Sequence, residues 1–150
     1  MERVRHLCAC LILFFSGVLC CEAKNLAVVV NKNNATPNLA VADLSKIVKF
    51  ENRKWPDGRD IVLVLLDPSS TEMQAVAKLF KIQPEVFKTL LGIHKASVVI
   101  VHSQQEMLRS VEATRGAIGL LDVYSISKEI RVVRVDGKLP LEQGYFFRAL

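Results

Sequence analysis

Six consecutive apolar residues, Ile61, Val62, Leu63, Val64, Leu65 and Leu66, constrain this chain more than any other feature. With no polar alternation, such a run fits a strand covered on both faces, as strands of a mostly parallel sheet are. Asp67, Pro68, Ser69, Ser70 and Thr71 follow at once, and then Met73, Val76, Ala77 and Phe80 recur at helical spacing. Strand, hydroxyl-rich turn and helix in that order predict a layered α/β fold. The same turn is a candidate anion site. The first-turn amides of a helix lack intrahelical acceptors and carry partial positive charge, and Ser69, Ser70 and Thr71 add hydroxyl donors. Helix capping by Ser69 or Ser70 accounts for the same residues with no ligand at all.

The flanking sequence repeats the alternation of strand and helix. Residues 26–30 form a short valine-rich strand that ends in the polar stretch 31–38. From Val41 the period is helical, with Leu44, Ile47 and Val48 on one face and Asp43 near the positive end of the helix dipole. Trp55, Pro56, Asp57 and Gly58 have the preferences of a type I turn. Pro84 opens a further helix whose expected buried stripe is Val86, Phe87, Leu90 and Leu91, with Gly92 as its stop. Residues 98–101 read as another apolar strand; Ser103 and Glu106 then form a capping box ahead of Met107, Leu108 and Val111. Gly116, Ala117, Ile118 and Gly119 lead into a strand where glycine permits close approach of a backbone or a ligand. Residues 130–135 alternate as one strand, closed by the Asp136-Gly137 turn. The expected fold is a single layered α/β domain, with a mixed, mostly parallel sheet flanked by helices.

Residues 1–23 are expected to be removed. Arg3, Arg5 and His6 precede an apolar stretch of about 13 residues at 7–19, and Ala23 offers a small-residue exit, the pattern of a secretory signal peptide cleaved after Ala23. The stretch is shorter than the roughly 20 residues a membrane-spanning helix needs. All four cysteines, Cys8, Cys10, Cys20 and Cys21, fall within residues 1–23, so residues 24–150 carry no disulfide, thiolate nucleophile or cysteine-ligated metal. Lipidation at Cys20 or Cys21 is the competing reading, but Leu19 and Cys20 stand where a small residue usually precedes such a cysteine. The expected location is therefore periplasmic or secreted. Asn34-Ala35-Thr36 matches a glycosylation acceptor, which matters only in a eukaryotic secretory pathway.

Removing 23 of 150 residues leaves 127, enough for one core without staples. The whole chain has a net charge of +5, spread without an arginine-rich block or interleaved aromatic run, so nucleic acid is not an expected partner. An enzyme is not expected either. His94 and His102 are the histidines left after residue 23, and no acid and nucleophile pattern accompanies them. Asp67, Asp122 and Asp136 fall at strand ends or turns, where backbone capping explains them. No metal site or cofactor is expected.

Several segments together resemble one family, the periplasmic substrate-binding proteins of the phosphate-binding type. They are Leu26-Ala27-Val28-Val29-Val30-Asn31, Leu44-Ser45-Lys46-Ile47-Val48, Trp55-Pro56-Asp57-Gly58 with Ile61, Gly116-Ala117-Ile118-Gly119, and Val135-Asp136-Gly137-Lys138 before Gly144-Tyr145. The resemblance implies one lobe of a type II periplasmic binding protein, a fold in which two lobes grip an oxyanion and deliver it to an ABC-type membrane transporter. It further implies that Ser69-Ser70-Thr71 occupies the family's Ser-Gly-Thr turn, with Ser70 in place of the glycine. The family's arginine before that turn is absent; Leu65 and Leu66 stand there. A buried phosphate needs charge-assisted donors to offset its desolvation, and a guanidinium supplies them in a fixed fork. Two functions follow as expectations. One is an exported solute-binding domain for phosphate or a similar oxyanion, serving an ABC-type uptake system. The other is an interaction or sensory module of the cell envelope that has lost tight ligand capture. A homodimer is a further expected partner arrangement, supplying a second wall to the site.

Overall fold

The computed structural model describes residues 23–150. All of the predicted signal peptide but Ala23, and with it the four cysteines, lies outside the described residues. From β1 (Leu26–Asn31) the chain passes through β2 (Asn38–Leu39), α1 (Val41–Val48), β3 (Val62–Leu66), α2 (Thr71–Leu79) and α3 (Pro84–Ile93). It continues through β4 (Val98–Val101), α4 (Gln104–Ala113), β5 (Ala117–Asp122), β6 (Ile130–Val132) and β7 (Arg134–Val135). No helix among the described residues is long and apolar enough to cross a membrane.

The main sheet has the order β4-β3-β5-β1-β6. β3 pairs in parallel with both β4 and β5, whereas β1 runs antiparallel to β5 and β6. The sheet is thus mixed, with β1 alone reversed in direction. The apolar run reads as expected: Val64, Leu65 and Leu66 are buried with Ile61 and Leu63, and β3 lies between two parallel neighbours. Val29, Gly119 and Val64 stand side by side across β1, β5 and β3. Helix α4 covers this row, since Met107 and Val111 are the side chains nearest to where a Gly119 Cβ would project. On the opposite face, Leu44 of α1, Met73 and Val76 of α2, Phe80 and Phe147 enclose Val28, Leu65 and Ile118.

Glycine and tryptophan fasten the start of β5. The backbone of Gly116 passes so close to Asp60 that an added Cβ would stand 2.1 Å from the Asp60 carbonyl oxygen. The Gly116 carbonyl accepts both the Val62 amide at 3.0 Å and the indole N–H of buried Trp55 at 3.0 Å. Trp55 itself heads the expected turn, its carbonyl accepting the Gly58 amide at 2.9 Å, with Gly58 at φ +86°. Close approach at this glycine-flanked strand is therefore made by backbone and by α4.

Four expectations need correction. Residues 130–135 are two strands: β6 pairs with β1, the Val133 amide still donates to the Val28 carbonyl, and β7 leaves to pair in parallel with β2. The outer strip of α3 is more exposed than its spacing suggests, because Phe87 and Leu91 alone are fully inserted, Leu90 is partly buried and Val86 is 51% exposed. Gly92 does not stop α3, which runs on to Ile93. Asn34 is also unsuited to glycosylation, being 4% exposed with its Oδ1 accepting the Thr36 amide.

Distant side chains cap helices that lack local partners. Ala40 offers α1 no side-chain cap, and the Val41 amide donates instead to Asp136 Oδ1 at 3.1 Å from the β7 turn. Buried Asn31 donates its amide to the carbonyls of Val111 and Glu112 at 3.0 and 2.8 Å, satisfying last-turn acceptors of α4. The segment after Gly144 folds back over the domain. The Leu26 amide donates to the Phe147 carbonyl, and Lys24 and Leu150 exchange backbone hydrogen bonds at 3.0 and 2.9 Å.

Tyr145 in this segment is buried, and its hydroxyl oxygen accepts the Val28 amide. Burial disfavours the phenolate and pushes its pKa from 10.0 up to about 12, against a smaller opposing effect of the Val28 hydrogen bond. Because the folded-state value lies above the unfolded one, the stability this gives is fully present below about pH 10 and is lost as pH rises through about 12. Chemical denaturation at pH 9 to 12 should therefore show a stability loss in the native protein that is smaller in Tyr145→Phe. Equal losses in the two proteins would contradict it.

Candidate functional site

Two helices open into one cleft at the carboxyl ends of β3 and β4. It has a volume of about 590 Å³, and its lining includes Lys24, Ser70, Thr71, Glu72, His102, Ser103 and Gln104. Each helix carries the serine cap its sequence predicts. Ser70 Oγ accepts the Met73 amide at 3.2 Å, and Ser103 Oγ accepts the Glu106 amide at 3.1 Å. The Glu106 carboxylate reaches back one residue further than a capping box requires and takes the His102 amide at 2.8 Å. The first-turn amides of Thr71, Glu72, Gln104 and Gln105 precede these capped positions and have no intrahelical acceptor.

The three serine and threonine residues singled out in the turn part company. Ser70 and Thr71 line the cleft. Ser69 lines a separate groove between α2 and α3, together with Pro84 and Lys88. Its hydroxyl and amide both donate to Asp67 Oδ1, at 2.6 and 2.8 Å. These two bonds, the hydroxyl's first, and then the nearby His102 hold the Asp67 carboxyl below its ordinary pKa. His102 Nδ1 is 3.7 Å from Asp67 Oδ2, and both side chains are well exposed.

Charges within the cleft are already paired. Lys24 forms an ion pair with Glu72, and the Gln104 amide donates to the other Glu72 oxygen at 3.3 Å. Gln104 Oε1 in turn accepts the Asp122 amide at 3.0 Å, tying α4 to the end of β5. Leu65 and Leu66, where the resemblance leads one to look for arginine, are core residues. Among the described residues, no three His, Asp or Glu side chains gather to hold a metal ion. Sequence reasoning missed Ser103 and Gln104 as neighbours of Ser70 and Thr71. The capping box marked their helix start, but only the parallel pairing of β3 with β4 brings the two starts together.

No family model matches the sequence, and no curated protein matches it. Its fold does match solved structures. PstS from Borrelia burgdorferi superposes with a TM-score of 0.69 at 19% identity, covering 84% of this chain and 55% of that one. An ABC-type phosphate transport receptor from Vibrio cholerae gives 0.64 at 20% identity, covering 78% and 48%. A phosphate-binding protein from Stenotrophomonas maltophilia gives 0.62 at 15% identity, covering 78% and 40%. The chain thus spans about half the length of these neighbours and shares the α/β fold of that half.

Proposed function

We propose that this chain is an exported solute-binding domain that holds phosphate or a similar oxyanion at the cleft between the starts of α2 and α4, for an ABC-type uptake system. The observation that carries the proposal is the convergence of two serine-capped helix starts, at Ser70 and Ser103, on one cleft. Two sets of first-turn amides with positive dipole ends suit an anion better than one. Likeness to a phosphate transport receptor and a phosphate-binding protein supports the choice of ligand. In this proposal Ser70 and Thr71 contact the ligand, while Ser69 shapes the turn by its bonds to Asp67.

Millimolar phosphate should raise the melting temperature of the purified protein, because a ligand that prefers the native state stabilises it by mass action. Thr71→Val should keep the Ser70 cap and diminish the phosphate shift. Ser70→Ala should lower stability by about 1 kcal/mol without ligand through loss of the cap. Absence of both calorimetric heat and thermal stabilisation with phosphate, sulfate and related oxyanions would sink the proposal.

A second function, an envelope interaction or sensory module without tight ligand capture, is favoured by one observation. The Glu72 carboxylate already occupies the cleft wall and is balanced by Lys24, while Leu65 and Leu66 stand in place of a guanidinium. Recovery of a stable envelope partner by crosslinking, with no anion response, would select it.

A further inference from the structure

The two edges of the main sheet are protected very differently. At one edge β6 is three residues long, carries the exposed Arg131, and gives way at once to β7, which pairs elsewhere. Short length, charge and a change of direction are the usual means of keeping an edge from pairing. At the other edge, β4 reads Val98, Val99, Ile100 and Val101, with no charge, proline or glycine. Ile100 is 39% exposed.

The hydrogen-bond alternation of β4 shows which groups face outward. The Val101 carbonyl accepts the Asp67 amide at 3.0 Å, so Val99 and Val101 are the residues turned toward β3. The N–H and C=O of Ile100 therefore point away from the sheet. A strand added antiparallel would pair with these groups, and one symmetric register suits them. A two-fold axis at Ile100 sets Ile100 opposite its own copy in a hydrogen-bonded pair and Val99 opposite Val101. Opposed residues then share a face, as the pleat demands. Because the strand is uncharged, this register brings no like charges together within it, and β-branched side chains meet across the axis.

We propose that a second copy of this chain pairs along β4 about a two-fold axis at Ile100, joining the two sheets into one continuous sheet. Four residues on each side fall well short of the roughly 20–30 of a standard specific interface, so the dimer is weak and exchanges rapidly. Sedimentation of the purified protein from micromolar concentration to about 1 mM should show a reversible shift from monomer toward dimer mass. Ile100→Lys should remain monomeric throughout with unchanged circular dichroism, since its side chain faces solvent in the monomer and meets its own copy in the dimer. In the unsubstituted protein, hydrogen exchange at the Ile100 amide should slow as concentration rises, while the Val101 amide, turned toward β3, should show no comparable change. A monomer at every concentration overturns the proposal. So does a dimer that survives Ile100→Lys, or one whose Ile100 amide exchange ignores concentration.

Discussion

Replacing Phe147 with alanine is expected to destabilise the folded domain by about 3–5 kcal/mol, the range for emptying a buried aromatic position. Phe147 has no exposed surface and meets Phe80 at 5.9 Å, Tyr145 at 6.1 Å and Phe146 at 4.9 Å between ring centroids, with the closest pair edge-to-face. Its backbone carbonyl also accepts the Leu26 amide. Loss of the ring removes buried apolar area, leaves a hole beneath Met73 and Val76, and loosens the segment that lies over the start of β1. Urea unfolding followed by Trp55 fluorescence would measure the loss. An unfolding free energy within about 0.5 kcal/mol of the parent, the range of ordinary surface substitutions, would mean that the terminal segment contributes little to the core.

Gly116→Ala is expected to cost about 3 kcal/mol, at the upper end of overpacking effects, because its methyl would meet a backbone oxygen that no rotamer change can move. Two other glycines calibrate this expectation. A Cβ at Gly119 would meet Met107 Sδ at 2.7 Å and the Val64 carbonyl oxygen at 3.3 Å. The flexible thioether can retreat in part, so Gly119→Ala should cost less than Gly116→Ala. At Gly92 there is open space inside α3, and Gly92→Ala should stabilise by about 0.5–1 kcal/mol through helix propensity and the reduced entropy of the unfolded chain. The rank order can be read from three denaturation curves. Equal effects at 116 and 92 would show that the Asp60 backbone gives way to the added methyl.

Where local sequence and global packing demand the same thing, the chain was legible. The run at 61–66, the face of α1 and the caps Ser70 and Ser103 each depend on neighbours within a few residues, and each falls where expected. Gly116 and Gly119 announced a close approach, but not that Asp60 and Met107 would make it. What stayed hidden was long-range. A strand buried on both faces reads the same in either direction, so the reversal of β1 left no local trace. Residues 130–135 continue their apolar alternation through Val133, and it is pairing with β2, nearly a hundred residues earlier, that divides them. Asp136 fitted its own turn perfectly well, although its carboxylate also caps α1. The site divided along the same line: Ser70 was visible as a cap, whereas its company with Ser103 arises from strand order.

The reciprocal bonds between Lys24 and Leu150 make the order of elements along the chain separable from their arrangement in space. With those two backbones in contact, a short flexible linker can join them in a variant spanning residues 24–150, and new ends can be opened at the exposed Asp57-Gly58 turn, where a Cβ added at Gly58 would meet nothing within 4 Å. Such a circular permutant keeps every strand pair of the main sheet while converting β1 from the first strand into an internal one. The fold's connectivity can thus be rewritten, with the new linker set beside the cleft that Lys24 and Leu150 help to line.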